Sequence, residues 1–238
     1  MQEFWMGLGW VTVYFVICAS CAFLCRVLFK IPDEVFRKAL HCILLGSLLA
    51  FAFGFETWWI SAGTCIFFEV AVYPILKYFE RFRAYSGFVT ERKSGELKSS
   101  LLLVFTMFAA VITVCWGWLG DRYLVLGSIY AWGFGDAAAA LIGKRFGKHK
   151  IMWKHVDGRK SFEGSAAMFL VSFFSVALIL WLRGGLGIGA LLVISMVTAA
   201  VSALVELYTS GGYDTVTCPL SAMAVLLPLM YLFGGLAG

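Results

Sequence analysis

The chain has 238 residues, 61% of them hydrophobic and 14% charged, with a net charge of +5 and a mean hydropathy of +0.88. A soluble domain carries roughly 25% charged residues, so a water-soluble globular fold is excluded, and 4 prolines with no long polar tract leave no room for a second, soluble domain. The positive charge sits in three short loops between apolar runs, not on a basic face, which argues against nucleic acid as a partner.

Apolar segments run over residues 5–29, 39–55, 57–79, 99–119, 123–143, 165–183, 186–209 and 216–236. Each is long enough to cross a bilayer, which takes about 20 residues of helix. The first is too long for a signal-peptide core and is preceded by Glu3 where a signal would carry positive charge, so it reads as a retained span. Cys18, Cys21 and Cys25 share one face of it, but a site inside a span lacks a closed zinc shell. The 7 cysteines read as small buried hydrophobes without a disulfide framework. The break at Phe55-Glu56-Thr57 is short, so the count is eight spans, or seven if that break is bridged. Open sheet cannot satisfy its edges in lipid, and the runs do not alternate as barrel strands do. The expected fold is therefore an all-α polytopic transmembrane bundle, one integral membrane catalytic domain over 1–238.

Orientation follows from the basic residues. Loop one holds Arg26, Lys30, Arg37 and Lys38; loop three holds Lys77, Arg81, Arg83, Arg92, Lys93 and Lys98. Loop five holds Lys144, Arg145, Lys148, Lys150, Lys154, Arg159 and Lys160. These odd loops contain 17 of the 19 basic residues, leaving only Arg122 and Arg183 for the even ones. With eight spans the odd loops are cytoplasmic and both termini face outward.

Against this apolar background the polar exceptions stand out. Asp136 lies in the fifth span, about 10 Å inside its cytoplasmic end at 1.5 Å per residue. A carboxylate there costs on the order of 3 kcal/mol or more unless paired or wetted. Flanking Gly135 and alanines let other groups approach, which favours a metal or substrate ligand over a structural ion pair. Loop five follows, with seven cations in the seventeen residues 144–160, spaced by Gly143 and Gly147. Such a loop suits a polyphosphate, with Lys as point charge and Arg as bidentate donor. Positive-inside charge or anionic lipid headgroups would also produce basic loops. The carboxylates on either side, Asp136 and Glu163, tilt the reading to a magnesium–nucleotide site. Ser161-Phe-Glu-Gly164 then opens the sixth helix, whose free N–H groups favour an anion.

Two further clusters fall on the cytoplasmic face. Arg37, Lys38 and His41 lie within a turn of one another at the start of the second span. Snorkelling explains the Arg and Lys equally well; His41, inside the apolar run, is harder to dismiss. Glu206 closes the seventh span and Asp214 follows it in a loop that has acids but neither Lys nor Arg, which fits a metal or a proton acceptor. The chain has no G-x-x-x-x-G-K-[ST], no protein-kinase set and no H-E-x-x-H.

Taken together the motifs resemble the family of CTP-dependent lipid-alcohol kinases, which includes dolichol, phytol and farnesol kinases and the yeast-type diacylglycerol kinase. The match lies in Arg37-Lys-Ala-Leu-His41, in Gly135-Asp136-Ala with Gly143 and Gly147, and in Lys160-Ser-Phe-Glu-Gly164, with Glu206 to Pro219 in outline. One departure is Asp214-Thr215, where the family commonly has Asp-Asn. The resemblance implies CTP as donor, magnesium, and a lipid alcohol (polyprenol, phytol-like alcohol or diacylglycerol) as acceptor. On that basis Asp136 and Glu163 are the expected metal ligands. Arg37, Lys38, Lys144, Lys148, Lys150, Lys160, Ser161 and the glycines 135, 143, 147 and 164 are expected around the nucleotide. His41, Glu206 and Asp214 join Asp136 as catalytic candidates, with His41 or Asp214 as base for the hydroxyl.

Phosphatidate cytidylyltransferases resemble the same middle block but end in G-H-G-G-x-x-D-R-x-D, which does not occur after Glu206. A transporter or lipid-binding scaffold would explain the buried acids but not the Gly/Lys-dense loop five.

Overall fold

The computed structural model describes residues 1–79, 96–154, 156–209 and 212–236. Arg81, Arg83, Arg92 and Lys93 of loop three lie outside them. Among the described residues eight helices are long and apolar enough to cross a membrane. They are α1 (Gln2–Phe29), α2 (Asp33–Phe53), α3 (Trp58–Phe79), α4 (Glu96–Val111), α5 (Arg122–Phe146), α6 (Phe162–Arg183), α7 (Ile188–Tyr208) and α8 (Asp214–Leu232). α4 continues as a π-helix over Ile112–Trp118. Among the described residues there is no strand, only the antiparallel bridge Lys150–Ser161. The all-α membrane bundle expected from the apolar runs is what is found, and the break near Glu56 is a real one.

α2 closes at Gly54, whose N–H donates to the Ala50 carbonyl, and the turn into α3 is held by a side chain 53 residues away in sequence. The Glu3 carboxylate accepts from the backbone N–H of Glu56 (3.0 Å) and Thr57 (2.9 Å) and from the Thr57 hydroxyl (3.0 Å). It thus satisfies donors that the first turn of α3 would leave orphaned, and it complements the helix dipole.

The chain forms two compact units, Met1–Thr113 and Val114–Gly238. Composition offers no break between them, since both halves are equally apolar. In the first unit the core is aromatic: Phe51, Phe55, Phe105 and Phe108 are fully buried, with ring centroids 6.0–6.5 Å apart. The Tyr14 hydroxyl donates to the Ile43 carbonyl at 2.7 Å and sits where a Cβ on Gly46 would stand.

The second unit is built around α5. Every residue from Leu124 to Gly133 is buried, as expected of a helix apolar on all sides. Asp121 caps it, accepting from the N–H of Tyr123 (2.9 Å) and Leu124 (3.2 Å). The same carboxylate takes Arg183 Nε at 2.5 Å, and Arg183 also donates to the Gly235 carbonyl at 2.6 Å. One acid therefore ties together the start of α5, the end of α6 and the carboxyl-terminal turn. Asp121→Ala removes a cap worth about 1 kcal/mol and strands a half-buried guanidinium. The expected result is a loss of about 2 kcal/mol, read as a fall of roughly 4–8 °C in the thermal midpoint of the purified protein. Asp121→Asn, which keeps an acceptor for the cap, should lose less.

Candidate active site

α5 runs to Phe146, three residues beyond the apolar run, so Asp136 lies about 15 Å along the helix from its end. It is half-buried. Trp132 precedes it by one turn on the same face and is buried; its indole Nε1 donates to Asp214 Oδ2 at 3.5 Å. Asp214 is the first residue of α8. The bond is long, but it aims the Asp214 carboxylate at the face of α5 that carries Asp136. Glu206, in the last turn of α7, stands within electrostatic reach of both Asp136 and Asp214. Three acids from three helices therefore converge.

A cation answers them. The Lys160 ammonium donates to Glu206 Oε1 at 2.8 Å, to the Thr209 carbonyl at 3.1 Å, and to the Glu206 carbonyl. An ammonium has three donors, and all three are taken. Lys160 thus closes the carbonyl end of α7, where the dipole favours a cation. Its contacts in this structure form a strap between the start of α6 and the end of α7. Sequence reading missed the partnership because its two ends are 46 residues apart.

The loop between α5 and α6 is held at its base. The Ile151 N–H donates to the Lys160 carbonyl and the Phe162 N–H to the His149 carbonyl, both at 3.0 Å. His149 Nδ1 lies 2.7 Å from Glu163 Oε1, and the His149 N–H also reaches that carboxylate at 3.3 Å. Glu163 is therefore engaged with the loop. Ser161 caps α6, its hydroxyl accepting from the Gly164 N–H at 3.2 Å. Lys144, Lys148 and Lys150 are exposed, in contrast to Lys160. The Lys150 ammonium donates to the Arg159 carbonyl at 3.2 Å.

The motif glycines have a packing role. A Cβ on Gly164 would meet the Ala139 carbonyl at 3.1 Å and the Cα of Gly143 at 3.3 Å. One on Gly147 would collide with the Gly143 carbonyl and the Ser161 side chain, and one on Gly135 with Ser172 and Met168 of α6. These four residues let α5 and α6 approach closely, and at Gly135, beside Asp136, the neighbour is the Ser172 and Met168 face of α6.

Arg37, Lys38 and His41 belong to the first unit, on the opening turns of α2. Arg37 is ion-paired with Glu34, Lys38 is only 6% exposed and His41 is half-buried.

Among the described residues no three His, Cys, Asp or Glu side chains are grouped so as to hold an ion by themselves.

A phytol kinase from a Synechocystis species is 28% identical to this chain over 246 aligned positions, covering 97% of the chain and 94% of the relative. The chain resembles a lipid-alcohol kinase from end to end. The resemblance to a lipid-alcohol kinase read from three short motifs thus extends to the spans between them, and both units are covered. No family model matches the chain, and no solved structure does.

Proposed function

We propose that the chain is a multi-pass membrane kinase that transfers the γ-phosphate of CTP to the hydroxyl of a lipid alcohol, with its site on the cytoplasmic face. The observation that carries this reading is the convergence of Asp136, Glu206 and Asp214, joined through Lys160 to the foot of a loop whose Lys148 and Lys150, with Lys144 in the last turn of α5, are exposed. Acids alone would suit a proton relay, and lysines alone a lipid surface. The two side by side suit a magnesium-bound polyphosphate. The relative of matching length and named activity supports the acceptor class.

In this reading the exposed lysines take the phosphates, and Asp136 is the carboxylate available to magnesium, which would neutralise charge on the phosphates. The alcohol oxygen forms a bond to the γ-phosphorus as the bond to the β,γ-bridging oxygen breaks. CDP leaves, and the hydroxyl proton passes to a base. Asp214, oriented by Trp132, is assigned that role. An acceptor too apolar to leave the bilayer requires its acid groups at membrane depth, where Asp136 is.

The test is to incubate the purified protein in liposomes with γ-labelled CTP, magnesium and, in turn, phytol, a polyprenol and diacylglycerol. Label in a lipid monophosphate is the expected result, and it names the acceptor. Pyrophosphate release with a CDP-lipid formed from phosphatidate would replace the kinase with a cytidylyltransferase. No transfer to any lipid would overturn both.

A further inference from the structure

α3 carries an acid that neither the motifs nor the second unit uses. Glu69 is near the middle of Trp58–Phe79, about 15 Å along the helix from either end. At that depth a carboxylate has no water to solvate it, and intramembrane acids mark functional sites by default. Among the described residues its hydrogen-bond partner is Thr106 of α4, whose hydroxyl donates to Glu69 Oε2 at 3.0 Å. Both residues belong to the first unit. Glu69 stands at the edge of a cleft whose walls are Val72, Leu76, Leu101, Leu102 and Phe105. Tyr73, one turn further along α3, also lines it, so the cleft carries a carboxylate and a phenol in otherwise hydrocarbon surroundings.

Helix–helix adhesion is the simplest use of a Thr–Glu contact in a membrane. Two uncharged residues would provide that at less cost. A carboxylate has four lone-pair positions and can accept from a further donor beside the Thr106 hydroxyl. The bond is not enclosed between the helices; it lies on the exposed side of the pair, where the surrounding medium is lipid. The ligand that fits must bring one hydrogen-bond donor to mid-bilayer and otherwise be hydrocarbon. A phospholipid cannot, because its headgroup stays at the interface. A long-chain alcohol can, and in the bilayer interior its own hydroxyl lacks an acceptor.

We propose that Glu69, Thr106 and the α3/α4 cleft form a holding site for the lipid alcohol within the first unit, separate from the phosphate chemistry of the second. The hydroxyl donates to the Glu69 carboxylate and the chain lies along Val72, Leu76 and Leu101. The choice of ligand rests on the kinase reading; the placement of the site does not.

The experiment uses the full chain in lipid nanodiscs without nucleotide, so that no turnover is needed. A diazirine-bearing analogue of phytol is photoactivated and the labelled peptides are mapped. Labelling is expected on the segments around Glu69 and Leu101–Phe105, competed by free phytol but at least roughly tenfold less well by its methyl ether, which cannot donate. Glu69→Leu should lower labelling there about tenfold. Glu69→Gln, which still accepts, should lower it about threefold, and Thr106→Val provides a second variant if Glu69→Leu does not fold. Labelling unchanged in Glu69→Leu, or competed equally by the ether, overturns the site and leaves the contact as helix adhesion. If transfer from labelled CTP succeeds while labelling ignores Glu69, the holding site falls and the kinase stands. If no lipid is phosphorylated but labelling still depends on Glu69, the kinase falls and the site stands.

Discussion

Asp136→Asn is expected to lower kcat by roughly 10³-fold or more while the protein still inserts and folds. The amide has the size and shape of the carboxylate, so the close packing of α5 against α6 at Gly135 is undisturbed. What disappears is the charge, and with it the magnesium ligand of the proposed mechanism. A half-buried charge is also a burden on the fold, so the thermal midpoint should stay level or rise slightly. The measurement pairs label transfer from CTP with a melting curve on the same preparation. Normal turnover in this variant would remove Asp136 from the mechanism.

Lys160→Met is expected to be among the most destabilising single changes in the second unit. It strands the Glu206 carboxylate, whose side chain is 12% exposed, beside Asp136 and Asp214. Breaking a buried pair by removing one partner costs about 3–5 kcal/mol, whereas removing both can be nearly neutral. Lys160→Met should therefore lower the thermal midpoint by roughly 10 °C, and Lys160→Met with Glu206→Leu should recover most of it. The loss of the α7 carbonyl cap would remain in the double variant. If the single variant instead melts normally and only its affinity for nucleotide falls, then Lys160 is a phosphate ligand and not a strap.

That contrast shows what a linear reading reaches. The spans were legible because hydrocarbon imposes one requirement, about 20 apolar residues per crossing, that neighbours in sequence satisfy together. The interruption at Glu56 was ambiguous on composition alone, and what settles it is Glu3, far away along the chain. Asp136 was legible for the same reason that Glu69 should have been: a lone acid in an apolar run needs an explanation. Glu69 was passed over because no motif surrounds it. Long-range partners were invisible, since nothing near Lys160 announces Glu206 and nothing near Trp132 announces Asp214. The glycines were read as room for a phosphate, and in the fold they are first of all room for a neighbouring helix.

The loop between α5 and α6 is tied at its base by the Lys150–Ser161 bridge, by His149 with Glu163 and by Lys160 with Glu206, while Met152 near its tip is 82% exposed. A polyanion arriving there meets cations whose backbone is already in place, and little ordering entropy is left to be lost on binding. Arrival is then governed by diffusion and the field of the exposed lysines. Added salt should slow association far more than it hastens release, and loosening the base should do the reverse.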